Sequence, residues 1–221
     1  MQEYLQETEF FDYSSPVIKE IIASLHLDGL SDQEKAIKLF YYVRDSIKYS
    51  VIINSFDPII FKASYVLQQD STFCIPKAVA LGTLSRAVGI PSRIHFVDFV
   101  NHRLSSKLAN LWGTNVMAMH CYTEFFLDGK WVKATASLDL GTCEKHGFIP
   151  VEFDGTHDST IKEKDRQGRK HAEYIKDRGT YADVPVDEIK TVMGETYHAK
   201  SDKKLNEIFN AKTPLFKEIK S

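Results

Sequence analysis

The chain has 221 residues, 43% of them hydrophobic and 26% charged, which is the composition of a folded globular protein long enough to bury a full core. Its 28 basic and 30 acidic residues leave a net charge of −2, so the global balance draws it neither to nucleic acid nor to an anionic membrane, and neither is expected as a partner. There is no apolar run of spanning length and no basic or apolar leader, and Cys74, Cys121 and Cys143 lack paired spacing, so free thiols in a reducing, cytoplasmic setting are expected rather than a disulfide framework.

In chain order, residues 1–16 read as an extended lead-in with an aromatic cluster at Phe10, Phe11 and Tyr13. Pro16 opens a helix with the stripe Val17, Ile18, Ile21, Ile22 and Leu25, ending near Asp28-Gly29. Ser31 and Glu34 form a capping box for a second helix, which buries Ala36, Ile37, Leu39, Phe40, Val43 and Ile47. Val51 to Ile53 and the breaker pair Asp57-Pro58 precede a short helix over Lys62 to Gln69. Next comes a central buried helix. Ser71 and Thr72 are its N-cap candidates, Pro76 suits its first turn, Val79, Leu81, Leu84 and Val88 recur at near-helical spacing, and Gly89 with Pro91 ends it.

Beyond Pro91, Arg93 to Val100 alternates as a half-buried strand, and Leu104 to Trp112 reads as a short helix. Met119 to Phe126 and Trp131 to Ala136 flank Asp128-Gly129, a hairpin turn pair. Polar loops follow at 154–159 and 165–169, then a last strand at His171 to Ile175 and closing helices over Val186 to Tyr197 and Lys203 to Phe209. The class is α+β, with an antiparallel sheet packed on the cysteine-bearing helix. The expected organisation is one domain over 1–221: a helical part (1–57), a core (58–140) and a C-terminal extension (141–221).

Cys74 sits at the N-terminal end of the central helix, where unpaired N–H groups and the helix dipole favour a thiolate; a plain buried cysteine has the same sequence signature. A catalytic thiol needs a base, and the hairpin supplies His120. With the turn setting the register, Phe126 faces Trp131, Tyr122 faces Thr135 and His120 faces Ser137. Alternation then puts His120, Tyr122, Glu124, Thr135 and Ser137 on one face, and His120 reaches Cys74 if that face packs on the helix. A zinc site from His120, Cys121 and Cys143 or His146 is disfavoured because adjacent strand residues point to opposite faces. No metal or other cofactor is expected.

The run Cys74 to Arg93, ending in Arg86-Ala87-Val88-Gly89-Ile90-Pro91-Ser92-Arg93, resembles the cysteine helix of the transglutaminase-like superfamily. His120-Cys121-Tyr122-Thr123-Glu124 followed by Trp131 resembles its histidine strand and partner strand. The resemblance covers about residues 60 to 140. It implies the papain-like transglutaminase-core fold, Cys74 as nucleophile and His120 as base. Family members usually carry an Asp four residues after the strand Trp, and here that position is Thr135, a hydroxyl that can orient a ring N–H but cannot stabilise an imidazolium as a carboxylate does. Asp139 is the candidate substitute, with Asp98 and Glu124 behind it. Gln68, six residues before Cys74, resembles in placement the upstream oxyanion donor of papain-like enzymes, with Gln69 its competitor, and Trp131, Tyr122 and Trp112 are candidate cleft walls. The implied activity is thiol-dependent acyl transfer on a peptide or protein amide, of protease, amidase or transglutaminase type, through a Cys74 acyl-thioester. The alternative is a catalytically silent transglutaminase-like binding module.

Overall fold

The structure is a computed structural model and describes residues 1–52, 56–199, 201–210 and 213–217. Helices α1 (Pro16–Ser24) and α2 (Asp32–Ser46) begin the fold, the second with the capping box at Ser31 and Glu34 in place. A two-residue strand β1 (Lys48–Tyr49) runs parallel to β2 (Ser71–Thr72), with the short helix α3 (Ala63–Val66) between them in the chain. Ser71 and Thr72 are therefore strand residues and not the cap of the next helix, whose N-cap is Phe73 with no side-chain hydrogen bond. Ile53 lies outside the described residues.

Helix α4 (Cys74–Ala87) is the centre of the molecule, buried from Cys74 through Arg86. A helix apolar on every side must be covered on every side. Here α1, α2 and α3 wrap it, and the strands β3 (Ser92–Asn101) and β4 (Val116–Leu127) pack on it. Small residues permit this approach: a Cβ on Gly82 would lie 2.7 Å from Phe11 Cε1. Gly89, at φ +84, ends the helix in a conformation that other residues resist. Arg86 then ties the exit together, donating to the carbonyls of Ser92, Gln6 and Ala182 while its guanidinium lies 3.8 Å over the Phe11 ring.

The sheet has the order β5-β4-β3-β6, all antiparallel, where β5 is Lys130–Ala134 and β6 is Ala172–Tyr181. Asp128 and Gly129 both have positive φ, the backbone of a two-residue hairpin turn whose twist matches its strands, and Phe126 pairs with Trp131 as the turn dictates. Helix α5 (Ser106–Trp112) joins β3 to β4. After β5 a helix unanticipated from sequence, α6 (Leu140–His146), is capped by Asp139 and ended by Gly147. Helices α7 (Val186–Thr196) and α8 (Asp202–Phe209) follow the sheet, and α7 lies on β4. Among the described residues no helix is long and apolar enough to cross a membrane.

Candidate active site

Cys74 is the first residue of α4, and it lines a small, largely enclosed cavity of about 20 Å³. His120 lines the same cavity, with Tyr49, Val51, Phe73, Met193, Tyr197 and Phe209 among the surrounding side chains. The space is that of about one water molecule. Four consecutive residues of β4, Met117 to His120, contribute to its lining, and the strand is irregular there. The reason is local: Met119 takes φ +57 and its N–H donates to Asp98 Oδ1 at 3.0 Å, while the β3–β4 register shifts between Val97 and Phe99. Asp98 is held in turn by Arg178 through two bonds of 2.6 and 2.7 Å.

From His120 onward the strand is regular, and it is the face of the opposite parity that packs on the helix. Thr123 Oγ1 donates to the Ala78 carbonyl, so the odd-numbered residues of β4 pack on α4. Tyr122 and Glu124 point to the far side of the sheet. There His95 is gripped between Glu124 and Asp177 at 2.8 Å each, Arg93 donates to Glu124 at 2.6 Å, and the Tyr122 ring lies against His95. Arg93 also stacks over Trp131 at 4.0 Å. The strand Trp and the Glu of the histidine motif are thus scaffold, and neither Trp131 nor Tyr122 walls the cysteine cavity. Trp112 does not line it either, packing instead behind it on Tyr197 and Phe209.

Burial dominates the electrostatics. It pushes the Cys74 thiol up to about 11, although the N–H groups of Cys121, Ile75 and Cys74 favour the thiolate, and it pushes the His120 imidazole down to about 3. In this closed arrangement both groups are neutral at pH 7. Neither ring nitrogen of His120 has a hydrogen-bond partner among the described residues, and neither does Thr135 Oγ1. Thr135 is fully buried just past the end of β5, where its N–H donates to the Ser159 carbonyl. The β4–β5 ladder ends at Thr123↔Ala134, so Thr135 is the first residue beyond it.

The other two candidates are committed elsewhere. Asp139 does not reach the ring: one carboxylate oxygen caps Thr142 N–H, the other accepts from Tyr49 N–H and the Thr142 hydroxyl. Gln68 is exposed and its amide donates to the Ser64 carbonyl at 2.7 Å, with Gln69 bonded likewise to Tyr65, so neither lines the cavity as an oxyanion donor. Sequence reasoning missed Tyr197, Lys77 and the Asp98–Arg178 pair. Lys77 is fully buried one turn beyond Cys74, donating to the carbonyls of Arg44 and Ile47, and burial lowers its amine to about 7. Among the described residues no group of three or more His, Cys, Asp or Glu is placed to hold a metal ion.

Comparison with known proteins fixes the family. The sequence model described as the transglutaminase-like superfamily matches residues 19–136, just over half of the chain, and includes Cys74, His120 and Thr135. The chain belongs to the transglutaminase-like superfamily. Its fold is accordingly the α+β, papain-like transglutaminase core, with the cysteine helix packed on an antiparallel sheet. A solved structure, "a Putative Cysteine Protease from Cytophaga hutchinsonii", is similar at 12% identity and a TM-score of 0.45, over 80% of this chain and 53% of that one. The chain thus spans about half the length of that protein. Among curated proteins none matches the sequence.

Proposed function

We propose that the protein is a thiol acyltransferase acting on amide bonds, with Cys74 as nucleophile and His120 as its base. The observation that carries this reading is that Cys74 and His120 both line one cavity, with both imidazole nitrogens unpartnered among the described residues. Buried polar groups are nearly always hydrogen-bonded, and a buried imidazole with neither nitrogen engaged is free to take the thiol proton when the sulfur comes within reach, although the two do not hydrogen-bond in this conformation. Membership of the superfamily supports the same roles.

In the reaction the His120 ring takes the thiol proton as sulfur attacks an amide carbonyl. The Cys74 N–H, unpaired at the helix start, is aimed to stabilise the oxyanion. The protonated ring then returns its proton to the leaving amine, giving an acyl-thioester that water or an amine resolves. Water makes the protein an amidase or protease, and a lysine amine makes it a transglutaminase. Its partner is a peptide or protein amide.

A second reading, a silent binding module, is favoured by one observation: no carboxylate orients His120, since Thr135 stands at the third position and Asp139 is bound at α6. Labelling with iodoacetamide separates the two. A catalytic Cys74 reacts faster than Cys121 and Cys143 and loses that advantage in His120→Ala; equal rates at all three cysteines would support the silent module.

A further inference from the structure

The cavity at Cys74 is closed by a part of the chain outside the family-matched segment of residues 19–136. Met193 and Tyr197 on and just after α7, with Phe209 at the end of α8, form one wall. The Tyr197 hydroxyl is bonded into β4: it accepts from Ala118 N–H at 3.0 Å and donates to the Val116 carbonyl at 3.3 Å, just before Met119 and His120. Its ring packs on Trp112 and Phe209, both at 5.2 Å. Cys74 is left 6% exposed, so no peptide reaches it in this conformation.

The attachment is narrow. Along α7 and its cap only Ile189, Met193 and Tyr197 are buried, a single stripe at four-residue intervals; beyond them Ala199 is buried, and α8 contributes Leu205, Ile208 and Phe209 and is tied to Phe56, whose N–H donates to Asn206 Oδ1 at 2.7 Å and whose ring meets Phe209. Segments held by few buried side chains open at lower free energy than the core they cover. Between β6 and α7 the Ala182 carbonyl is anchored by Arg86 and the Asp183 carboxylate by the Thr8 hydroxyl, which leaves Val184-Pro185, between those anchors and α7, as the pivot.

We propose that α7 and α8 form a shutter over the thiol: the closed conformation is latent, and amide substrates reach Cys74 after the pair lifts from β4 as a unit, breaking the two Tyr197 bonds. Opening would readmit water to Cys74 and His120 and so remove the desolvation that holds both neutral. The proposal rests on reading these residues as a thiol-enzyme site, but its test reads access and not catalysis.

The test follows iodoacetamide labelling of the three cysteines by mass spectrometry in the full chain and in Tyr197→Phe, at a pH of about 9, where a thiol ionises without a catalytic base once it is exposed to water. Loss of the two hydroxyl bonds is expected to speed labelling of Cys74 about tenfold and leave Cys121 and Cys143 at their original rates. No change at Cys74, or equal acceleration at all three in a variant that circular dichroism shows folded, overturns the shutter. Hydrogen exchange on the unaltered chain gives a second decision: α7 amides exchanging together, faster than those of α4 and β4, support it, and equal protection overturns it. A Cys74 that opens selectively yet labels identically in a His120→Ala background supports the shutter and defeats the enzyme reading alone.

Discussion

His120 and Thr135 are each buried with side-chain polar atoms that bond no other described residue, and Thr135 stands just past the end of the strand that pairs with β4. An Asp at 135 carries its oxygens one bond further than a Thr hydroxyl and supplies the charge that an imidazolium needs. Thr135→Asp is therefore expected to raise the His120 pKa from about 3 and to speed Cys74 alkylation at pH 7, read from labelling rates and the His120 ring resonances. Asp139→Ala is expected to do neither: it removes the α6 cap and the Tyr49 contact, lowering stability by about 1–2 kcal/mol while leaving the Cys74 pH profile in place. His120 also makes stability depend on pH. Its folded pKa lies below the unfolded value of 6.5, so the unfolded chain binds more protons between those limits, and stability present above pH 6.5 is lost as pH falls towards 3. His171, lowered to about 4, acts in the same direction. The limiting loss from His120 is about 5 kcal/mol. Urea midpoints should fall between pH 7 and pH 5, before most carboxylates protonate, and His120→Gln should flatten that slope.

At the scale of elements, α4 is held by contacts that leave no room. Gly82→Ala gains helix propensity of about 1 kcal/mol but drives a methyl to 2.7 Å from a Phe11 ring that is buried under Arg86, so a net loss of about 1–2 kcal/mol is expected in a urea titration. Asp98→Ala should cost more, about 3–5 kcal/mol, because it strands the Arg178 charge and the Met119 N–H together. These particulars mark how far the sequence could be read. The capping box of α2, the Asp128-Gly129 turn and the Gly89 exit were legible because each is a local rule with its partners in adjacent residues. The facing of β4 was not. Alternation places His120 with Tyr122, and the regular ladder Val97↔His120, Phe96↔Cys121, His95↔Tyr122 keeps that parity; what has no local signature is the break just before His120, where the left-handed Met119 donates its N–H to Asp98 on the neighbouring strand. Helix α6 was hidden by Gly141, although Asp139 and Gly147 bracket it as cap and stop. The family motif named Cys74 and His120 but gave no hint that Tyr122, Glu124 and Trp131 serve the opposite face of the sheet.

For the whole molecule, one apolar core runs from Phe10 to Phe209 and the cysteine cavity lies inside it, beneath the last two helices. That position explains why thiol and imidazole are both neutral at rest: desolvation outweighs the N–H groups around Cys74, and no described residue hydrogen-bonds the His120 ring. Chemistry then requires both the pairing of Cys74 with His120 and exposure of the pair, and the two can be measured together. In the Tyr197→Phe chain, the pH dependence of Cys74 alkylation, with and without His120→Ala, is predicted to show a midpoint below about 8 that climbs to the ordinary thiol value near 8.5 when the imidazole is removed. A midpoint at or above the ordinary thiol value in both chains would contradict the assignment of Cys74 and His120 as nucleophile and base.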